Sequence, residues 1–240
     1  MVLCDSPPLL GTGNSIEFAL AAIRPWISRG NRRALGESCS TQRAFVHQQS
    51  CRALLRSSGR RQEGTPSVNA TVFVGTSVDG FIARSDGTYN FLPPGGGEPH
   101  GYDEFMATVD AMVIGRKTYE SVLALDKWPY GAKPVFVLSR HSIAPAPVGA
   151  VVERVLPPPA HIVSRLSTRG IKHIYVDGGI TVQGFLRAGL VRRLIITRVP
   201  VLIGTGIPLF GATAGDIVLK HIATRQYASG LVQSEYEIAT

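Results

Sequence analysis

AMVIGRKTYE, residues 111–120, is the stretch whose reading decides the fold. Ala111 to Ile114 is a short apolar run without alternation, as expected of a strand buried on both faces. Gly115 ends it, and Lys117 to Ala124 reads as the first turns of a helix. A helix start offers unpaired N–H groups and partial positive charge, which suits phosphate. Arg116, Lys117 and the Thr118 hydroxyl add charge and donors at the same place. Taken alone, the stretch fits a phosphate site or a strand–helix junction with solvating cations equally well.

Two further turns on either side repeat the design. Pro134 to Leu138 (PVFVL) is a buried strand ending at Ser139-Arg140, and His173 to Val176 (HIYV) is a strand ending at Asp177-Gly178-Gly179. Helices are expected over Tyr102–Val109, Pro159–Thr168 and Thr181–Ala188, the last two stopped by Gly170 and Gly189. Strands are expected at Thr71–Thr76, Ala150–Val152 and Leu194–Val201, and a closing pair at Ile217–Thr224 and Leu231–Ile238. Asn90 to Gly101 and Gly204 to Phe210 read as loops. Strands separated by helices imply parallel neighbours with right-handed crossovers. The fold class is therefore α/β: a mostly parallel twisted sheet, helices on both faces, and an antiparallel C-terminal hairpin.

In such sheets ligands bind at the carboxyl ends of the strands. There Gly178 and Gly179 would let backbone approach a pyrophosphate. Arg116, Ser139 and Arg140 would gather around a further phosphate, as an adenosine 2′-phosphate requires, so NADPH is expected over NADH. No G-x-G-x-x-G follows any strand, which argues against an ordinary dinucleotide fingerprint.

With SVDGFIA (77–83), VIGRKTYE (113–120), VLSR (137–140), IYVDGG (174–179) and PVLIGTGIPLF (200–210) in this order, the chain resembles the dihydrofolate reductase superfamily. It is most similar to the branch containing the reductase domain of the bifunctional riboflavin-biosynthesis deaminase-reductase. The resemblance covers about Ala70 to Ile238. It implies a three-layer sandwich, NADPH as hydride donor, and reduction of a pteridine- or pyrimidine-like small molecule. It points to an activity like that of 5-amino-6-(5-phosphoribosylamino)uracil reductase. It implies cofactor contacts at Gly115, Arg116, Lys117, Thr118, Ser139, Arg140, Gly178 and Gly179. On the substrate side it implies Ser77, Asp79 and Phe91, with Asp79 orienting the substrate or supplying the proton. A homodimer through the C-terminal strands is also implied.

The chain departs from the pattern in two places. No acid falls where folate reductases carry one on the first helix; Asp103 and Glu104 are neighbours, not matches. Asn90-Phe91 stands where an acidic-Trp pair is common. Folate reduction, or NADPH binding without chemistry, are the alternatives. The chain has no His-x-Glu with Pro-Cys-x-x-Cys zinc signature, so it is not expected to be the bifunctional enzyme. His100, His141, His161, His173 and His221 lack metal-ligand spacing and read as surface residues or strand ends, so no metal is expected. Trp128 and Tyr119 read as packing residues.

Composition bounds the rest. The chain has 240 residues, is 44% hydrophobic and carries a net charge of +8. Residues 1–68 hold nine Arg against four acids, a net of +5, so the basic excess says little about the body. That segment also holds all three cysteines and shows no sustained period. It reads as a disordered basic extension, with a transit peptide or non-native upstream sequence as alternatives; residues 69–240 form the reductase domain. No run of apolar residues reaches membrane length. Neither a nucleic-acid nor a membrane partner is expected. The cysteine-free body suits a reducing compartment, and the cytoplasm is the expected location, with organelle targeting by residues 1–68 left open.

Overall fold

The computed structural model describes residues 68–93 and 99–239. The reading of residues 1–68 as an extension lies outside the described residues except at Val68, which is buried in the core.

In chain order the elements are β1 (Asn69–Ser77), β2 (Phe81–Ala83), α1 (Tyr102–Thr108), β3 (Ala111–Gly115), α2 (Arg116–Leu123), β4 (Val135–Leu138), β5 (Val152–Val155), α3 (Pro159–Thr168), β6 (His173–Asp177), α4 (Gly179–Arg187), β7 (Val191–Val199), β8 (Ile207–Pro208), β9 (Leu219–Gln226) and β10 (Val232–Ile238). Eight strands make one sheet in the order β5-β4-β3-β6-β1-β7-β10-β9. The first six run parallel; β10 lies antiparallel to β7, and β9 to β10.

Alternation along the strands sorts side chains to two faces. Val72, Val113, Ile174, Val176, Leu194 and Ile196 pack under α3 and α4 with Ile162, Leu166, Val182 and Phe185. Phe73, Met112, Ile114, Val135, Val137 and Tyr175 pack under α1 and α2 with Tyr102, Phe105, Tyr119 and Val122. The helix stops act as their sequence suggests. Gly170 and Gly189 adopt φ of 78° and 65°, and the following amides of Ile171 and Leu190 bond back to Leu166 and Phe185 carbonyls.

Two expectations change. The segment 204–210 is not loop throughout, because Ile207–Pro208 pairs with β2 as a separate two-stranded ribbon. The missing N–H of Pro208 is harmless at such an edge. His100 is not a surface residue: it is 4% exposed, its ring meets Tyr227 edge-on, and its carbonyl accepts from Gln233. That bond ties the chain entering α1 to β10. Among the described residues no helix is long and apolar enough to cross a membrane, and no group of three or more His, Cys, Asp or Glu is placed to hold a metal.

Candidate functional site

The β3–α2 and β6–α4 turns lie side by side because β3 and β6 are neighbours, with Ile114 opposite Asp177. They interlock. A Cβ on Gly178 would lie 2.5 Å from Thr118 Oγ1, and one on Gly115 would lie 2.8 Å from Thr181 Oγ1. The third residue of each helix thus rests on the glycine that starts the other. Gly178 also has a φ of 93°, which a residue with a Cβ resists. Ile82 and Ile207, from β2 and next to it in β8, cover Gly179, so the space these glycines open is filled by the protein's own side chains. Neither helix has a side-chain cap, which leaves two sets of first-turn N–H groups without a capping partner, side by side.

Beyond β3, the β4 strand ends at Ser139. Its hydroxyl donates to the His141 carbonyl and accepts the His141 amide, shaping the turn that projects exposed Arg140. Arg154 of β5 donates to the Ser139 carbonyl at 3.4 Å and so brings another guanidinium to this corner. Arg116 is paired with Glu120 one turn along α2, while Lys117 points outward. The structure thus brings Gly115, Arg116, Lys117, Thr118, Ser139, Arg140, Gly178 and Gly179 to adjacent strand ends. It gives Ser139 a local hydrogen-bonding task and Gly178 and Gly179 a packing task. The donor set, uncapped helix N-termini beside three cations, is of a kind that binds phosphate.

On the other flank, β1 ends at Ser77. The Ser77 hydroxyl accepts the Phe81 amide and closes the turn. Asp79 accepts the amides of Ile203 and Gly204, bonding the β1–β2 turn to the loop after β7. The Ser77 hydroxyl and those amides hold the Asp79 carboxyl below the usual carboxylate range, against a partial desolvation that acts the other way. Asp79 is exposed and ionised at neutral pH. Phe91 is half-buried beneath the Arg84 guanidinium, 5.9 Å from its ring centre, and Arg84 bonds Asn90.

One group was missed by sequence reasoning. Asp177, read there as a turn former before Gly178-Gly179, is 5% exposed. Its Oδ1 accepts the Gly178 amide at 2.7 Å, but Oδ2 is buried without a partner among the described residues. Burial raises the carboxyl to about 6, even though the Gly178 amide and the Tyr175 side chain pull it down. By alternation it shares the face of Tyr175, and its charge also acts on Tyr89, Tyr102 and Tyr130. An acidic residue closing an apolar strand between two other strands was the available signal: on a central strand, its last side chain has no easy route to solvent.

A family model, the RibD C-terminal domain, matches residues 68–233. The chain belongs to this family. The uncharacterized protein YwjB of Bacillus subtilis is 32% identical over 170 residues, covering 69% of this chain and 95% of that protein. A putative riboflavin biosynthesis protein from Shewanella sp. PV-4 is 34% identical with a TM-score of 0.66, covering 72% of this chain and 100% of that one. Dihydrofolate reductase from Enterococcus faecalis, solved with NADP(H), shares the fold at 13% identity and a TM-score of 0.51, over 72% of this chain and 97% of its own. The RibD C-terminal domain therefore has here the dihydrofolate-reductase-like sandwich that its motifs imply.

Proposed function

We propose that this chain is an NADPH-dependent reductase of a pteridine- or pyrimidine-like small molecule, resembling 5-amino-6-(5-phosphoribosylamino)uracil reductase. The observation that carries the reading is the pair of interlocked, uncapped helix starts at Gly115 and Gly178, flanked by Arg116, Lys117 and Arg140. The α2 and α4 N-terminal amides would hold the pyrophosphate of NADPH, and Arg140 with Arg116 its 2′-phosphate. When bound, that cofactor supplies a hydride.

The chain's own residues supply the rest. Asp177, raised to about 6 and so mainly ionised at neutral pH, leaves one oxygen free among the described residues to accept a bond from the substrate and orient it. Asp79 fixes the turn that carries Ser77 against the loop at Ile203 and Gly204, a positioning role. Phe91 and the Tyr89–Leu92 turn wall the substrate side. Reading α1 as the acid-bearing helix of a folate reductase is less favoured, because its buried residues are Tyr102 and Phe105 while Asp103 and Glu104 are exposed. A homodimer belongs to this reading: β9 is exposed along nearly its whole length, with Leu219 and Ile222 among its uncovered residues.

The test is NADPH oxidation with a panel of pterins, aminopyrimidine ribosyl phosphates and small carbonyls. Turnover of a panel member, with kcat reduced in Asp177→Asn, is expected. Tight NADPH binding with no turnover would instead indicate a non-catalytic nucleotide-binding protein.

A further inference from the structure

Two buried polar atoms on the α1/α2 face have no partner among the described residues: Tyr89 Oη and Asp177 Oδ2. Their backbones explain how they come together. Gly75 of β1 lacks the side chain that would collide with Leu92, whose Cδ2 would lie 2.8 Å from a Cβ there. The turn closed by the Leu92 amide on the Tyr89 carbonyl therefore lies directly on β1. β1 is the neighbour of β6, which ends in Asp177, and on this face Tyr175 of β6 bonds the Phe73 carbonyl of β1. The Asp177 charge acts on Tyr89 and, after burial, helps push its hydroxyl up to about 12. The two groups thus lie on the same face of neighbouring strands, and neither bonds the other.

We infer that Tyr89 and Asp177 form a two-point reader for one edge of the substrate, the edge carrying an N–H beside a C=O. The inference rests on the reductase reading above and names two residues that read the acceptor. An ionised Asp177 oxygen accepts the substrate N–H; the neutral Tyr89 hydroxyl donates to the adjacent carbonyl. Leaving two such groups buried without partners costs stability, and a ligand that supplies both bonds removes that cost. A ring with a methylated nitrogen cannot, because it leaves Asp177 unpaired and adds bulk.

The test uses 2-pyridone, a ring with one N–H/C=O edge, and N-methyl-2-pyridone, titrated by ligand-observed NMR into the full chain without NADPH at neutral pH. The expected result is that 2-pyridone binds, that N-methyl-2-pyridone fails to displace it, and that Tyr89→Phe weakens 2-pyridone by about three- to tenfold. Tyr89→Phe removes no hydrogen bond present in the free protein, so it is expected to fold. Asp177→Leu, which removes the acceptor at similar volume, is the second variant, and it should lose discrimination between the two rings. Equal binding of the two pyridones, no binding of either, or an unchanged affinity in Tyr89→Phe would each overturn the inference. Because no cofactor enters these titrations, a failure of NADPH to bind in a separate titration would count against the reductase reading alone.

Discussion

Toward α3 and α4 the sheet turns Val72, Val113, Ile174, Val176 and Leu194; toward α1 and α2 it turns Phe73 and Tyr175, facing Tyr102, Phe105 and Tyr130, with Asp177 at the strand end. The first layer is mostly aliphatic and has few polar groups to satisfy. The second is aromatic and carries hydroxyls and a carboxyl, two of whose atoms have no partner among the described residues. Burying unpaired polar groups destabilises a fold, so a chain that keeps them on one face has another use for that face. The α3/α4 face is the stabilising layer, and the α1/α2 face is where the candidate substrate site lies.

The largest effect should come from the aliphatic side. Phe185 is fully buried there. Phe185→Ala should lower unfolding free energy by about 3–5 kcal/mol in urea titrations. The folded fraction should bind NADPH as before. A change of cofactor affinity in correctly folded protein would show that the two layers are not separable.

Next comes the carboxyl. With its folded-state value raised to about 6, Asp177 keeps its proton while the unfolded chain has already released one. Stability should therefore fall as pH rises from about 4 to about 6, by on the order of 3 kcal/mol, and then level off. Tyr89, Tyr102, Tyr130 and Tyr175, which surround it, are all raised and stay neutral through this window. Asp79, Asp86 and Asp110 are lowered and act with the opposite sign, losing stability as pH falls below the ordinary carboxylate range. Urea midpoints across this range should show the fall in wild type and its absence in Asp177→Asn. The same slope in both proteins would mean that Asp177 is not the group responsible.

The rim joining the two layers gives a smaller effect. Arg140→Ala should weaken NADPH about tenfold to a hundredfold, the worth of a charge-assisted hydrogen bond, and leave NADH nearly unchanged. Dissociation constants at one fixed salt concentration read this out. Equal losses for both cofactors would put the 2′-phosphate elsewhere, with Arg154, which shares this corner, the next residue to replace.

How much of this was legible follows from how local each signal is. Ala111–Ile114 reads as a buried strand because four consecutive apolar residues admit little else, and the glycine stops of α3 and α4 are equally local. The turns at Gly115, Ser139 and Gly178 could be placed together once the strands were taken as parallel. The β2–β8 ribbon could not, since it joins residues more than 120 positions apart and contains Pro208. The Asp79 bond to Gly204, which ties the β1–β2 turn to the loop after β7, spans 125 positions. Asp177 and Tyr89 were hidden for a different reason. Asp before Gly-Gly and Tyr within a Gly- and Asn-containing turn both have ordinary local meanings, and only the packing of β1 and β3 around β6 makes their burial visible.

The smallest prediction sets two tyrosines near this same face against each other. Tyr119 is fully buried, and its hydroxyl donates toward the Ala144 and Pro145 carbonyls at 3.1 and 3.2 Å. Tyr89 has a hydroxyl that is just as hidden and bonds to nothing in the described structure. A made hydrogen bond contributes about 1 kcal/mol net, and removing it leaves the Ala144 and Pro145 carbonyls short of a donor. Tyr119→Phe should therefore cost about 1 kcal/mol and leave ligand binding alone. Tyr89→Phe deletes a hydroxyl that only pays the desolvation penalty, so it should be neutral or stabilising by up to about 1 kcal/mol. Paired urea titrations of the two variants measure the difference directly. If Tyr89→Phe destabilises as much as Tyr119→Phe, its hydroxyl is held by a structural bond in solution, and the contrast between a stabilising layer and a ligand-facing layer fails at the position where it is most specific.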